Sequence, residues 1–133
     1  MNKPILCLDF DGVIHSYASG WKGARNIPDP PVDGALEFII KALDADYDVV
    51  IHSSRARYFG GIWAMRRWLR KHGTAHKDDL WDRDQWGMTS LRDARFVRMK
   101  PPALVTIDDR GYRFDGTWPD PKAVMKLKPW NKS

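Results

Sequence analysis

The chain has 133 residues, 43% hydrophobic and 29% charged, which supplies apolar material for one core and leaves too little length for a second, capping domain. Lys and Arg number 22 against 17 Asp and Glu, and the resulting +5 favours anionic partners such as phosphates or nucleic acid. A single cysteine, Cys7, excludes an internal disulfide, and no apolar run approaches the roughly 18 residues of a membrane span, so a soluble, cytoplasmic protein is expected.

Pro4 to Leu8 (PILCL) reads as a buried parallel strand halted by Asp9-Phe10-Asp11-Gly12. A loop containing Gly20, Gly23 and prolines 28, 30 and 31 follows. Leu36, Ile39, Ile40 and Leu43 then recur at helical spacing, with Asp33 as the expected N-cap. Asp48 to His52 (DVVIH) is a second strand running into Ser53-Ser54-Arg55, which completes a strand-helix-strand crossover. Phe59 to His72 is a second helix, with Ile62, Met65 and Leu69 on one face, Arg66, Arg67 and Arg70 on another, and Gly73 as its stop. Residues 74 to 95 lack periodicity and read as irregular. Phe96 to Met99 is a short strand, Leu104 to Ile107 a better one that ends at Asp108-Asp109-Arg110-Gly111, and Lys122 to Leu127 a closing short helix.

Of the 17 acids only Glu37 is Glu, a skew toward the residue that suits turns, caps and metal sites. In open α/β sheets ligands bind beyond the carboxyl ends of the strands, where Asp9, Asp11, Ser53, Asp108 and Asp109 are expected to converge. Crowded carboxylates resist joint ionisation unless a cation offsets them, and Mg²⁺ with oxygen ligands resolves the conflict. One aspartate can then attack phosphorus, a second can protonate the leaving alcohol and activate water, and Lys100 with a Ser hydroxyl can hold the phosphoryl oxygens.

These residues resemble the four motifs of the haloacid dehalogenase (HAD) superfamily of phosphohydrolases. Leu6 to Val13 matches the first motif, Val49 to Ser53 the second (Ser54 being the register alternative), Lys100 the third, and Val105 to Asp109 the fourth, in order and over nearly the whole chain. The resemblance implies a three-layer, Rossmann-like α/β domain over residues 1 to 133, with a central, mainly parallel sheet and no cap. It implies Asp9 as nucleophile and Asp11 as general acid and base. Mg²⁺ would be held by the carboxylates of Asp9 and Asp108 and by the Asp11 backbone carbonyl, with Asp109 supporting or sharing the metal site and the order of Asp108 and Asp109 left open. The phosphoryl group would be positioned by Ser53, or Ser54 in the alternative register, and Lys100; Arg55, next to Ser53 at a strand end, is the basic residue expected to contact substrate. The Ser-x-Arg of the second motif and the Ile-Asp-Asp-Arg of the fourth are also similar to 3′-phosphatase domains of bacteriophage polynucleotide kinases, so the phosphorylated substrate is either a small molecule or a nucleic-acid end.

An EF-hand is excluded, because position 13 is Val and position 20 is Gly. His15 and His52 flank the site and read as packed or locally hydrogen-bonded; His72 and His76 are spaced for a metal, but Gly73 is expected to break the helix between them. Arg55, Arg57, Arg66, Arg67, Arg70 and Lys71, followed by Trp81, Trp86, Arg92, Arg95 and Arg98, read either as a groove for unpaired nucleic acid or as a solvated face with core tryptophans. The alternative class is therefore a non-catalytic nucleic-acid-binding module on a HAD-like scaffold, against which the intact Asp9 and Asp11 argue.

Overall fold

Two five-residue strands with fully buried centres, β1 (Ile5–Asp9) and β2 (Asp48–His52), lie side by side and parallel in the computed structural model, which describes residues 3–111 and 113–124. β3 (Arg95–Val97) adds to β2 and β4 (Val105–Ile107) to β1, both parallel, giving a four-stranded sheet in the order β3-β2-β1-β4. The protein is thus α/β with an all-parallel sheet, as the buried apolar runs require. Each of Val49, Val50 and Ile51 is completely enclosed, a burial worth about 1.5–3 kcal/mol per side chain.

Connections β1-α1-β2 and β2-α2-β3 step the same way across the sheet through α1 (Ala35–Asp44) and α2 (Gly61–Ala75). Right-handed crossovers in one direction put both helices on one face. The core agrees: Leu6, Leu8, Val49 and Ile51, which share a face by register, belong to one buried cluster with Ile39 and Leu43 of α1 and Met65, Trp68 and Leu69 of α2. Cys7 and Val50 point the other way and are covered without joining that cluster. The step from β3 back past β2 and β1 to β4 reverses direction, so segment 98–104 crosses that second face, with Leu104 N–H bonded to Ile5 O at 2.9 Å. The expected three layers are therefore, among the described residues, helices on one face and an extended segment on the other.

Local details differ from expectation for identifiable reasons. α1 is preceded by Gly34 in the left-handed conformation, and no side chain caps it; Asp33 is exposed. α2 starts after Gly60, φ 78°, and runs through Gly73 to Ala75. Gly73 is not a stop but a contact: a Cβ there would collide with Leu91 Cδ1, so its bare backbone lets the 90–93 turn pack on the helix. β3 starts one residue earlier than the sequence suggests because Arg95 grips Asp48 of β2 with two bonds, 3.0 and 2.7 Å. Of the closing helix only Pro121–Val124 is described, and the rest of that expectation lies outside the described residues. No helix among the described residues is long and apolar enough to cross a membrane.

Candidate functional site

β1, β2 and β4 all end at one edge, and a cleft of about 350 Å³ opens there. Asp9, Asp11, Ser53, Ser54, Lys100, Asp108 and Asp109 line it, together with Tyr17, Trp21, His52 and Arg110. Because β1 pairs with β2 on one side and β4 on the other, residues far apart in sequence are brought within reach. A larger hollow of about 490 Å³ sits at the opposite, amino ends of β1 and β2, between Ile5, Asp48 and Tyr47, and gathers no comparable set of groups.

The carboxylates of Asp9, Asp108 and Asp109 offer one oxygen each within 4.8 Å of the others. Burial first, and then the Asp108 charge, pushes the Asp9 carboxyl up to about 7. Burial also raises Asp109, which shares a hydrogen bond with Asp9. Asp109 Oδ1 is buried and has no hydrogen-bond partner. A cluster that holds protons against its own repulsion, with one orphaned oxygen, fits a hard divalent cation. Asp108 is the exposed member, and its Oδ1 accepts the Arg110 N–H at 2.8 Å.

Gly12 explains how Asp109 enters. Residues 10–15 curl back so that the Ile14 and His15 N–H groups both reach Phe10 O at 2.9 Å, and Gly12 takes φ 83°, a left-handed conformation. The Asp109 carboxylate rests against its bare Cα, where a Cβ would overlap Oδ2. Two constraints, backbone sign and close approach, thus select glycine after Asp11.

Asp11 stands apart from the acidic triplet. Its Oδ1 accepts from His15 Nδ1 at 2.9 Å, and the Arg55 Nε–H is shared between its two oxygens at 3.1 and 3.0 Å. His15 is fully buried and its Nε2 accepts the Asp29 N–H at 3.1 Å, which fixes the hydrogen on Nδ1. Asp29 is tied in turn: Ser19 donates to it from hydroxyl (2.6 Å) and backbone (2.8 Å), holding its carboxyl below the usual range, and Trp68 Nε1 donates to its carbonyl at 3.0 Å. The long 16–31 loop is thereby fastened onto α2 and the site.

Arg55 is placed differently from its expected role on substrate phosphate. It is completely buried and absent from the cleft wall; Nε serves Asp11, Nη1 serves the carbonyls of Gly23 and Ala24 at 2.8 and 3.1 Å, and Trp21 covers the guanidinium at 4.9 Å. Its Nη2 is buried with no hydrogen-bond partner, so the guanidinium holds Asp11 and the loop carbonyls through Nε and Nη1 alone. Ser53 is buried and its Oγ accepts the Arg55 N–H at 3.2 Å as the cap of a 3₁₀ turn, Ser54–Arg57, while Ser54 is exposed. Lys100 is exposed on the cleft.

The basic stretch resolves mostly into separate structural pairs. Arg66 and Arg92 flank the buried Trp81 ring at 5.7 and 5.6 Å, Arg92 also meets Asp82 at 2.6 Å, and Arg67 lies on Trp63 at 5.3 Å. The helix continues between His72, which packs on Trp68, and His76, which sits 3.8 Å from Glu37; the expected break at Gly73 is absent, yet the pair is still dispersed among other partners. Tyr17 and Trp21 have no signal in the sequence, since only the path of the glycine- and proline-rich loop brings them to the cleft; Arg110 is visible there only as the last residue of Ile-Asp-Asp-Arg, with no role attached. Comparison of the chain with family models, curated proteins and solved structures finds no match.

Proposed function

We propose that the protein is a Mg²⁺-dependent phosphomonoesterase of HAD-like fold that works through an aspartyl-phosphate on Asp9. The observation that carries this reading is the meeting of Asp9, Asp108 and Asp109 at the carboxyl ends of neighbouring parallel strands, in one cleft with Ser53 and Lys100. Mg²⁺ held by those three carboxylates, with the Asp11 carbonyl as a further ligand, would offset their repulsion and the charge of the arriving phosphate.

An Asp9 carboxylate oxygen attacks phosphorus and the ester P–O bond breaks. Asp11, aimed by Arg55 and His15, would take up a proton from solvent and pass it to the departing alkoxide, which leaves as the alcohol. Asp11, now a base, takes a proton from water as that water attacks the aspartyl-phosphate; inorganic phosphate leaves and Asp9 is a carboxylate again. The Ser53 hydroxyl, the Lys100 ammonium and backbone N–H groups after β2 hold the phosphoryl oxygens through both steps. No cap covers the described cleft, which suits a substrate larger than its phosphate.

The test is phosphate release from a panel of phosphomonoesters in Mg²⁺ and in chelator. Turnover that requires Mg²⁺ and is lost in Asp9→Asn is expected. Absence of such turnover across the panel, alongside salt-sensitive binding of single strands, would overturn the reading in favour of a binding module.

A further inference from the structure

We propose that Trp21 and Tyr58 form a nucleobase-stacking subsite at the mouth of the carboxylate cleft, so that the phosphate ester processed there is carried by a nucleotide, free or at a strand end. The proposal rests on the phosphatase reading of the same cleft and names its substrate class.

Trp21 is a wall of the cleft that holds Asp9, Lys100 and Asp108, and it remains 45% exposed. Two ring contacts hold it. One contact is the Arg55 guanidinium, 4.9 Å from the ring centroid, and Arg55 is itself immobilised by Asp11 and by the carbonyls of Gly23 and Ala24. The other is the Tyr58 ring at 5.9 Å, tilted by 48°. The side chain that aims Asp11 therefore also aims Trp21, which ties the platform to the reacting end of the cleft.

Tyr58, which meets Trp21, is itself 54% exposed. Aromatic rings this open beside an anion site are what a planar, apolar-faced group attached to a phosphate would cover, and every base has such a face. Cations accompany the rings: Lys22 follows Trp21 and Arg57 precedes Tyr58, both exposed, and Arg110 lines the cleft. They suit further phosphates of a strand. Tyr17 adds a second indication. It holds φ 59°, a strained conformation for a bulky residue, while its ring meets His15 edge-on at 6.0 Å on the cleft wall.

The test compares kcat/KM in Mg²⁺ for a 3′-phosphorylated oligothymidylate, a 5′-phosphorylated one, thymidine monophosphate, a phosphotyrosyl peptide and ribose 5-phosphate, which has no base. Expected is a preference of about 10- to 100-fold for the base-bearing esters over ribose 5-phosphate, the worth of one stacked base. That ratio should collapse in Trp21→Ala and be largely restored in Trp21→Phe. Tyr58→Ala, which leaves the Trp21 stack on Arg55 in place, should lower it in the same direction. A strand preferred over the monophosphate assigns the strand end, and equal use assigns the free nucleotide. No preference for base-bearing esters, a ratio unmoved by both alanine variants, or a preference for the peptide would overturn the proposal. If nothing is turned over, the phosphatase reading fails by itself. Binding of a labelled oligothymidylate to Asp9→Asn then decides the subsite, since binding that is absent, or unweakened by adding Trp21→Ala, overturns it.

Discussion

Arg55 and Asp11 share a single N–H between two carboxylate oxygens, at 3.1 and 3.0 Å, from a guanidinium with no solvent exposure. Arg55→Ala would leave Asp11 without its cation and empty a core site, and breaking such a pair from one side costs about 3–5 kcal/mol. Arg55→Lys keeps the charge but cannot serve Asp11 and the Gly23 and Ala24 carbonyls together. The expected outcome for Arg55→Lys is a folded, less stable protein with lowered kcat and little change in KM. A rise in KM alone, in steady-state assays paired with denaturant melts, would instead indicate direct substrate contact.

Gly12→Ala meets two penalties. A left-handed φ of 83° costs a residue with a Cβ about 1–2 kcal/mol, and that Cβ would overlap the Asp109 carboxylate. Loss of stability together with weakened Mg²⁺ binding, measured by melting and titration calorimetry, is expected. A control, Gly20→Ala, has a similar φ of 76° but nothing within 4 Å, so it should show the stability loss and leave Mg²⁺ affinity unchanged.

The acidic cluster gives the metal-free protein a distinctive pH response. Asp9 releases its proton at about 7 when folded, whereas in the unfolded chain it does so near its ordinary 3.8. A carboxyl raised by folding contributes stability that is full below the unfolded value and is lost as pH climbs through the folded one. In chelator, wild type should therefore lose stability relative to Asp9→Asn between about pH 4 and 7. Mg²⁺ should restore it, more at pH 8 than at pH 5. Denaturant midpoints at the two pH values, with and without Mg²⁺, check this; a flat difference between the two proteins would contradict it.

His15 links two loops through opposite edges of one ring. His15→Leu removes one of the two donors to Asp11 Oδ1, which keeps the Arg55 N–H, and orphans the Asp29 N–H, a buried donor whose loss of a partner costs about 1–3 kcal/mol. Lower stability is expected, with faster proteolysis within residues 16–31. Limited digestion of the two proteins at equal occupancy of the folded state reads this out.

Much of the site was legible because the residues that carry it sit where buried strands stop. Ile5 to Asp9, Asp48 to Ser53 and Val105 to Asp109 announce themselves by apolar runs that end in polar side chains, and parallel pairing alone then brings those ends together. The roles of Arg55 and Trp21 were not legible, because both depend on where the 16–31 loop, which carries Trp21 and offers Arg55 the Gly23 and Ala24 carbonyls, is pinned by His15, Asp29 and Trp68. Gly73 misled for a related reason: a glycine that ends a helix and one that admits Leu91 look alike until the neighbour is known.

The strand that brings Asp108 and Asp109 is one of the sheet's two edge strands and joins β1 through three residue pairs, with its own side chains open to solvent. Two of the three clustered carboxylates are thus mounted just beyond a short edge strand, and the third at the end of one of the sheet's most enclosed strands. A cation gripped by all three would act as a clasp across that joint. Its binding energy would be partly spent on keeping an edge strand docked, so occupancy of the site and integrity of the sheet would rise and fall together.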